Sequence, residues 1–349
     1  MDDTFLYILG AGASCEAVPL VKGFPKSLAE FADELELVRP ASNSPTHGII
    51  SGVVPNFSLF DHEEPLNPVE QFIAGEGRKS FVEALRWLAT EADCHASVDT
   101  LAKKFFLKGD HRNLGKLKAV LSAFLIARQT RKPVDKRYDS FFASVLYPDG
   151  AGELQIPSNI RILTWNYDTQ LEKAFFGFAD NSAKVYRQIT TNDRIHRVNG
   201  YCGRTPDNVC GPEFRDVWET PYDSSAMVNG IGLFNDYVKE HNAHDPDIRF
   251  AWESPTKAPL ERYTLPNLKE TTVAVSIGYS FPYFNREIDK QIFSALPNLK
   301  RVYLQYLEGT HKTIRERVHA MRPDLNDIRE VPPDDKHFYI PDEYAGPPT

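Results

Sequence analysis

Cysteine is scarce in this chain: four residues, Cys15, Cys94, Cys202 and Cys210, among 349. No two form a Cys-x-x-Cys pair, which removes the usual structural zinc site built from two such pairs. Four thiols in so long a chain make no disulfide framework either. Cys202 and Cys210 are poorly spaced for sharing a metal with histidines, so they read as small buried or loop thiols, and no metal is expected. Long apolar runs are also lacking. No stretch approaches the roughly 20 residues that a membrane helix requires, and the Met-Asp-Asp start lacks the basic segment of a secretion signal, so a cytoplasmic protein is expected. Positive charge is in deficit, 40 basic against 48 acidic residues for a net −8. Direct nucleic-acid binding is therefore not expected from bulk charge, although an acidic average can hide a basic face.

What remains is ordinary globular material, 42% hydrophobic and 25% charged, long enough for one large or two ordinary domains. Residues 4–9 read as a strand that runs straight into Gly10-Ala-Gly-Ala-Ser14. Gly10 and Gly12 would let the backbone approach a ligand, and a following helix would point free N–H groups at a pyrophosphate. The dinucleotide fingerprint wants a third glycine where Cys15 stands, and any tight strand-to-helix turn favours Gly and Ala, so downstream features must decide.

Residues 26–38 carry apolar side chains at helical spacing. Residues 40–68, rich in Pro, Ser, Asn and Gly, suggest a long loop or lid. From Pro68 to about Tyr147 the pattern is helical and reads as an insertion, whose second half carries many Lys and Arg; a solvated helix face is the simple account of them. Strand patterns return at Ile160–Leu163, Thr271–Ile277 and Arg301–Tyr306, interleaved with helices at Thr169–Phe176, Asn285–Leu296 and Thr310–Met321. Strands alternating with helices predict an α/β fold, a doubly wound parallel Rossmann-like sheet with a helical insertion. The expected organisation is a sheet domain of residues 1–38 and 155–322, a lid loop and helical insertion at 39–154, an irregular insertion at 200–265 and an extended tail at 323–349.

Three strand ends carry polar or glycine clusters: Gly10–Ser14, Thr164-Trp-Asn166-Tyr-Asp168 and Gly278-Tyr-Ser280. In an open parallel sheet, ligands sit outside these carboxyl ends. In this order the three resemble the sirtuin-like family, and its branch of bacterial NAD hydrolases of anti-phage defence in particular. Glu253-Ser-Pro-Thr-Lys257 is similar, imperfectly, to a Pro-Pro-Thr-x-x-Lys element of that branch. The resemblance spans about 1–38 and 155–320.

It implies NAD as a substrate. Gly10, Ala11, Gly12 and Ser14 would hold phosphates and the nearby ribose, with Thr164, Gly278 and Ser280 lining the dinucleotide and Gln305 on its adenine side. Asn166 and Asp168 match the family's Thr-x-Asn-x-Asp motif beside the nicotinamide ribose. The chemistry suits them: an amide can orient water and a carboxylate can favour an oxocarbenium-like sugar. A helix-capping pair is the alternative reading of these two residues. The family's His-Gly pair is altered. Aligning its glycine with Gly200 puts Asn199 at the histidine place and His196 three residues early, so both stay candidates. The missing zinc pairs make a protein deacylase the weaker reading, beside a non-catalytic NAD or ADP-ribose sensor. The resemblance further implies a homo-oligomer and control by a partner such as a HerA-type ATPase or a short Argonaute.

Overall fold

The computed structural model describes residues 3–37, 73–129, 133–178, 194–204, 230–232, 234–235, 237–238, 246–253, 268–306, 311–334, 336–344 and 346. The expected lid at 40–68, most of the irregular segment and Ser254–Lys257 lie outside them. The chain opens with strand β1 (Phe5–Leu9) and a short 3₁₀ turn (Ala11–Ser14). Five helices follow: α1 (Phe24–Leu37), α2 (Arg78–Asp93), α3 (Val98–Leu107), α4 (His111–Gln129) and α5 (Lys136–Val145). Then come β2 (Ile160–Thr164), α6 (Gln170–Phe176), β3 (Ile195–Arg197), β4 (Val273–Ile277), α7 (Arg286–Ser294), β5 (Arg301–Gln305), α8 (His311–Met321) and β6 (Asp327–Val331). Among the described residues no helix is long and apolar enough to cross a membrane.

The fold is Rossmann-like α/β. The six strands form one parallel sheet in the order β3-β2-β1-β4-β5-β6, so the direction of winding reverses between β1 and β4. Every residue of β1, β2 and β4 is buried, because helices on both faces of a parallel sheet demand nearly continuous apolar runs. Alternation then divides the strands. Leu6 and Ile8 join the cluster with Ile288, Ile292 and Val318 of α7 and α8, while Tyr7 meets Phe141 of α5 edge-on at 4.8 Å.

The chain divides into two compact units. One comprises Met1–Leu20, Pro133–Tyr201 and Ile248–Thr349; the other, Val21–Lys132 and Cys202–Asp247. The boundaries differ from those expected. Helix α1 belongs to the helical unit, because Phe24 and Phe31 pack on Phe124, and Phe31 also on Phe81. Helix α5 belongs to the sheet unit. Twelve of the nineteen residues of α4 are buried, and among the described basic residues of this region Lys108, Arg112 and Lys136 are exposed while Lys116 lies over Trp87.

The expected extended tail is a correction too. Residues 327–331 pair in parallel with β5 as the sixth strand, and Phe338 beyond it is buried. Charged side chains on this edge strand concealed it, as they blunt sheet edges generally.

Candidate functional site

The register sets Arg197, Thr164, Leu9, Ile277, Gln305 and Val331 in one row across the carboxyl edge of the sheet. Two of the motifs begin immediately beyond it, at Gly10 and Gly278, and the third begins in the row itself at Thr164. Thr164 is buried, and its Oγ1 accepts from the N–H of Asn166 at 3.1 Å, turning the chain out of β2.

At the switch between β1 and β4, the glycines serve the protein's own backbone. A Cβ on Gly10 would lie 2.5 Å from Tyr279 Cα, and one on Gly12 2.7 Å from Gly278 Cα. Gly278 itself has φ +61°, and its Cβ would fall 2.4 Å from the Gly12 carbonyl carbon. The Gly12 N–H donates to Gly278 O at 3.0 Å. The turn is thus a clasp between two strand ends, and that N–H is not free for a phosphate. Nor does a long helix follow directly: the 3₁₀ turn has four residues, of which Ala11 is exposed. Ser280 is exposed, and its carbonyl accepts from Arg317.

Ser14, Asn166 and Asp168 do meet. The Ser14 hydroxyl donates to Asp168 Oδ1 at 3.1 Å, and Asn166 Nδ2 donates to Ser14 Oγ at 3.2 Å. Tyr138 Oη lies 3.0 Å from the same oxygen. Ser14 has one proton, given to Asp168, so Tyr138 is the donor in the last contact and Ser14 has no hydroxyl capacity left for a phosphate. Asp168 Oδ1 also accepts from the N–H of Gln170, the first residue of α6, at 3.1 Å, so the carboxylate closes the turn into that helix as well as joining the cluster. Asp168 Oδ2 and Asn166 Oδ1 accept nothing among the described residues, and these are the polar atoms a ligand would find. Burial pushes the Asp168 carboxyl up to about 6, against the pull of the Gln170 N–H, the Arg197 charge and the Ser14 hydroxyl. Burial likewise holds the Tyr138 phenol well above its ordinary range.

A second layer fixes these groups. Asp135 caps α5 and grips Arg137, whose guanidinium reaches the carbonyls of Gly12 and Ala13 at 3.0 and 3.2 Å and Cys15 Sγ at 3.2 Å. Burial works against the Arg137 charge, and Asp135 more than offsets it, so the guanidinium stays charged. Arg197 pairs with Glu172 and donates to the carbonyls of Asn166 and Asp168 at 3.2 and 3.0 Å. Trp165 stacks on Tyr279, centroids 5.1 Å apart. The Tyr279 hydroxyl donates to Asp289, whose carboxyl burial pushes up to about 8, the Tyr279 bond opposing.

The remaining expected residues separate. Asn199 lies at the carboxyl edge, where its Nδ2 donates to Trp165 O at 3.1 Å. His196 sits mid-strand in β3, opposite Leu163, and is buried. Gln305 lies at the end of β5 with its amide turned to the C-terminal segment, donating to His337 O at 3.0 Å and accepting from the Tyr339 N–H at 2.9 Å. It ties down that segment because the chain beyond β6 folds back over the end of β5.

Sequence reasoning missed Asp135, Arg137 and Tyr138. Asp135 before a helical run was a readable cap signal, but Arg137 read only as part of a basic run. Among the described residues, no three His, Cys, Asp or Glu side chains gather as metal ligands. No protein-family model and no curated protein matches the chain.

Proposed function

We propose that this protein hydrolyses the N-glycosidic bond of NAD, releasing nicotinamide and ADP-ribose. The observation that carries the reading is the meeting of Ser14 with Asn166 and Asp168, 152 and 154 positions away in sequence, in one buried network at the carboxyl edge of a dinucleotide-type sheet. The sirtuin-like order of the three motifs supports it.

In this mechanism the C1′–N bond breaks with its electron pair going to the nicotinamide ring, which leaves neutral and needs no acid. Asp168, ionised above about pH 6, favours the oxocarbenium-like ribose. Asn166 Oδ1 accepts a hydrogen bond from the attacking water, whose oxygen bonds to C1′ and whose proton passes to solvent. Ser14 orients both side chains and carries no charge. Because the cradle glycines clasp β4, the diphosphate would lie along the outside of the turn, at exposed Ala11, rather than within it. The physiological consequence is NAD depletion in anti-phage defence, controlled by self-assembly or by a partner of the HerA ATPase or short Argonaute type.

One observation favours a second reading, a non-catalytic NAD or ADP-ribose binder: Asn199 replaces the family histidine at the sheet edge, and His196 sits within its strand. Incubation of purified protein with NAD, alone and with candidate activating partners, followed by chromatography for nicotinamide and ADP-ribose, tests the first reading. Intact NAD that nonetheless binds calorimetrically would overturn it in favour of the second. Activity gained only on Asn199→His would mark the natural site as disabled.

A further inference from the structure

The chain beyond β6 folds back on the sheet unit. Gln305 bonds residues 337 and 339. The Tyr303 hydroxyl donates to Glu343, which also pairs with Arg301. Tyr344 meets Phe5 edge-on at 5.6 Å. These anchors present Phe338, 4% exposed, to the back of the candidate site. Its ring packs edge-on against Tyr138 at 4.9 Å, and the Arg137 guanidinium lies 5.4 Å from its centroid. Tyr138 and Arg137 are the residues that hold Ser14 and the Gly12–Ala13 carbonyls.

We propose that Phe338 is a positioning residue: docked by residues 337–344, it fixes Arg137 and Tyr138 and, through them, the Ser14–Asp168 pair. The physical reason is desolvation. A phenol and a guanidinium beside an apolar ring have no water to turn toward, so each keeps its single protein geometry. Removal of the ring admits water behind Tyr138, loosens its bond to Ser14 and relieves the burial of Asp168. Besides burial, the groups that act most on Asp168 are the Gln170 N–H, Arg197, the Ser14 hydroxyl and Glu172, and the Tyr138 phenol faces it as well. None of these belongs to the C-terminal segment, and Tyr138 is the one that Phe338 packs against.

The test is a carbon-13 carboxyl titration of aspartate-labelled full-length protein, with Asp168→Asn to assign the signal and Asp289 as internal control. Phe338→Leu, Phe338→Val and Phe338→Ala form a graded series. The Ala variant is expected to lower the Asp168 titration point by about one unit, with Val between and Leu close to the parent, while Asp289 stays in place. An unshifted Asp168 in the Ala variant, or in Val if Ala does not fold, overturns the proposal. So does an equal shift of Asp289, which would mean general loosening. The activity arm alone rests on the glycohydrolase reading: kcat for NAD falls about tenfold with KM within about twofold. If the parent does not cleave NAD, that reading falls and the titration still decides the positioning role.

Discussion

Replacing Asp168 by Asn separates the cost of this carboxylate from its use. The amide keeps the shape. Its Oδ1 can still accept from Ser14 and Gln170, and its Nδ2 takes the place of an oxygen that accepts nothing among the described residues. What disappears is a buried charge. The native carboxyl is raised from 3.8 to about 6, roughly two units, and at about 1.4 kcal/mol per unit that is about 3 kcal/mol. The sign follows from linkage. The folded state holds the proton more tightly than the unfolded state, so this contribution to stability is complete below pH 3.8 and is lost as pH rises through about 6. The substituted amide does not titrate. The stability of the variant relative to the parent should therefore rise by about 2.5 kcal/mol between about pH 4 and pH 7.5, whatever the offset at the acid end. Urea unfolding of both proteins across that range, taken as a difference curve, measures this directly, because the other titrating groups, Asp289 included, cancel. A flat difference curve, or one that falls with pH, would refute the argument that burial dominates at Asp168. The same variant should lose at least about a hundredfold in NAD cleavage while its stability relative to the parent improves from acid to neutral pH, the expected exchange at a functional site.

Three further outcomes follow from the geometry. The kcat/KM for NAD should rise with pH through about 6 as Asp168 ionises, and a profile falling over that interval would exclude the carboxylate as the working form. Gly278→Ala, with φ +61° and a Cβ at 2.4 Å, should cost at least about 3 kcal/mol in thermal or urea unfolding; Gly23→Ala, with nothing within 4 Å, should be neutral or slightly stabilising. Arg137→Lys should cost about 2–4 kcal/mol, because an ammonium lacks the planar fork that bonds Asp135 through Nε and Nη2 while reaching two carbonyls, and equal stability of the two proteins would dismiss Arg137 as the clasp of the turn.

Much of the architecture is legible in local sequence. Phe5–Leu9 and Val273–Ile277 are apolar runs, broken only by Ser276, because each strand must be buried on both faces, and the small-residue turns at Gly10 and Gly278 announce their ends. Those signals suffice for a doubly wound sheet, and the resemblance of the strand-end motifs then singles out Ser14, Asn166 and Asp168. Local pattern does not reveal where a helix goes. Helices α1 and α5 are both amphipathic, and nothing in a periodicity says whether the apolar stripe will face Phe81 and Phe124 or Tyr7. Strand β6 and the segment after it were hidden for the related reason that an edge strand buries only Ile328 deeply and otherwise shows charge.

The sequence by itself determined the parallel sheet, the strand ends and the residue types that stand there, because backbone sterics and burial on two faces act within a few residues. The tertiary structure alone decided what those residues do to one another. It spends the glycines on a clasp between β1 and β4, saturates Ser14, raises Asp168, and withdraws Gln305 to hold the C-terminal segment. Each of these depends on partners more than about 30 positions distant in sequence, and hydrogen-bond satisfaction and desolvation are properties of that assembled neighbourhood.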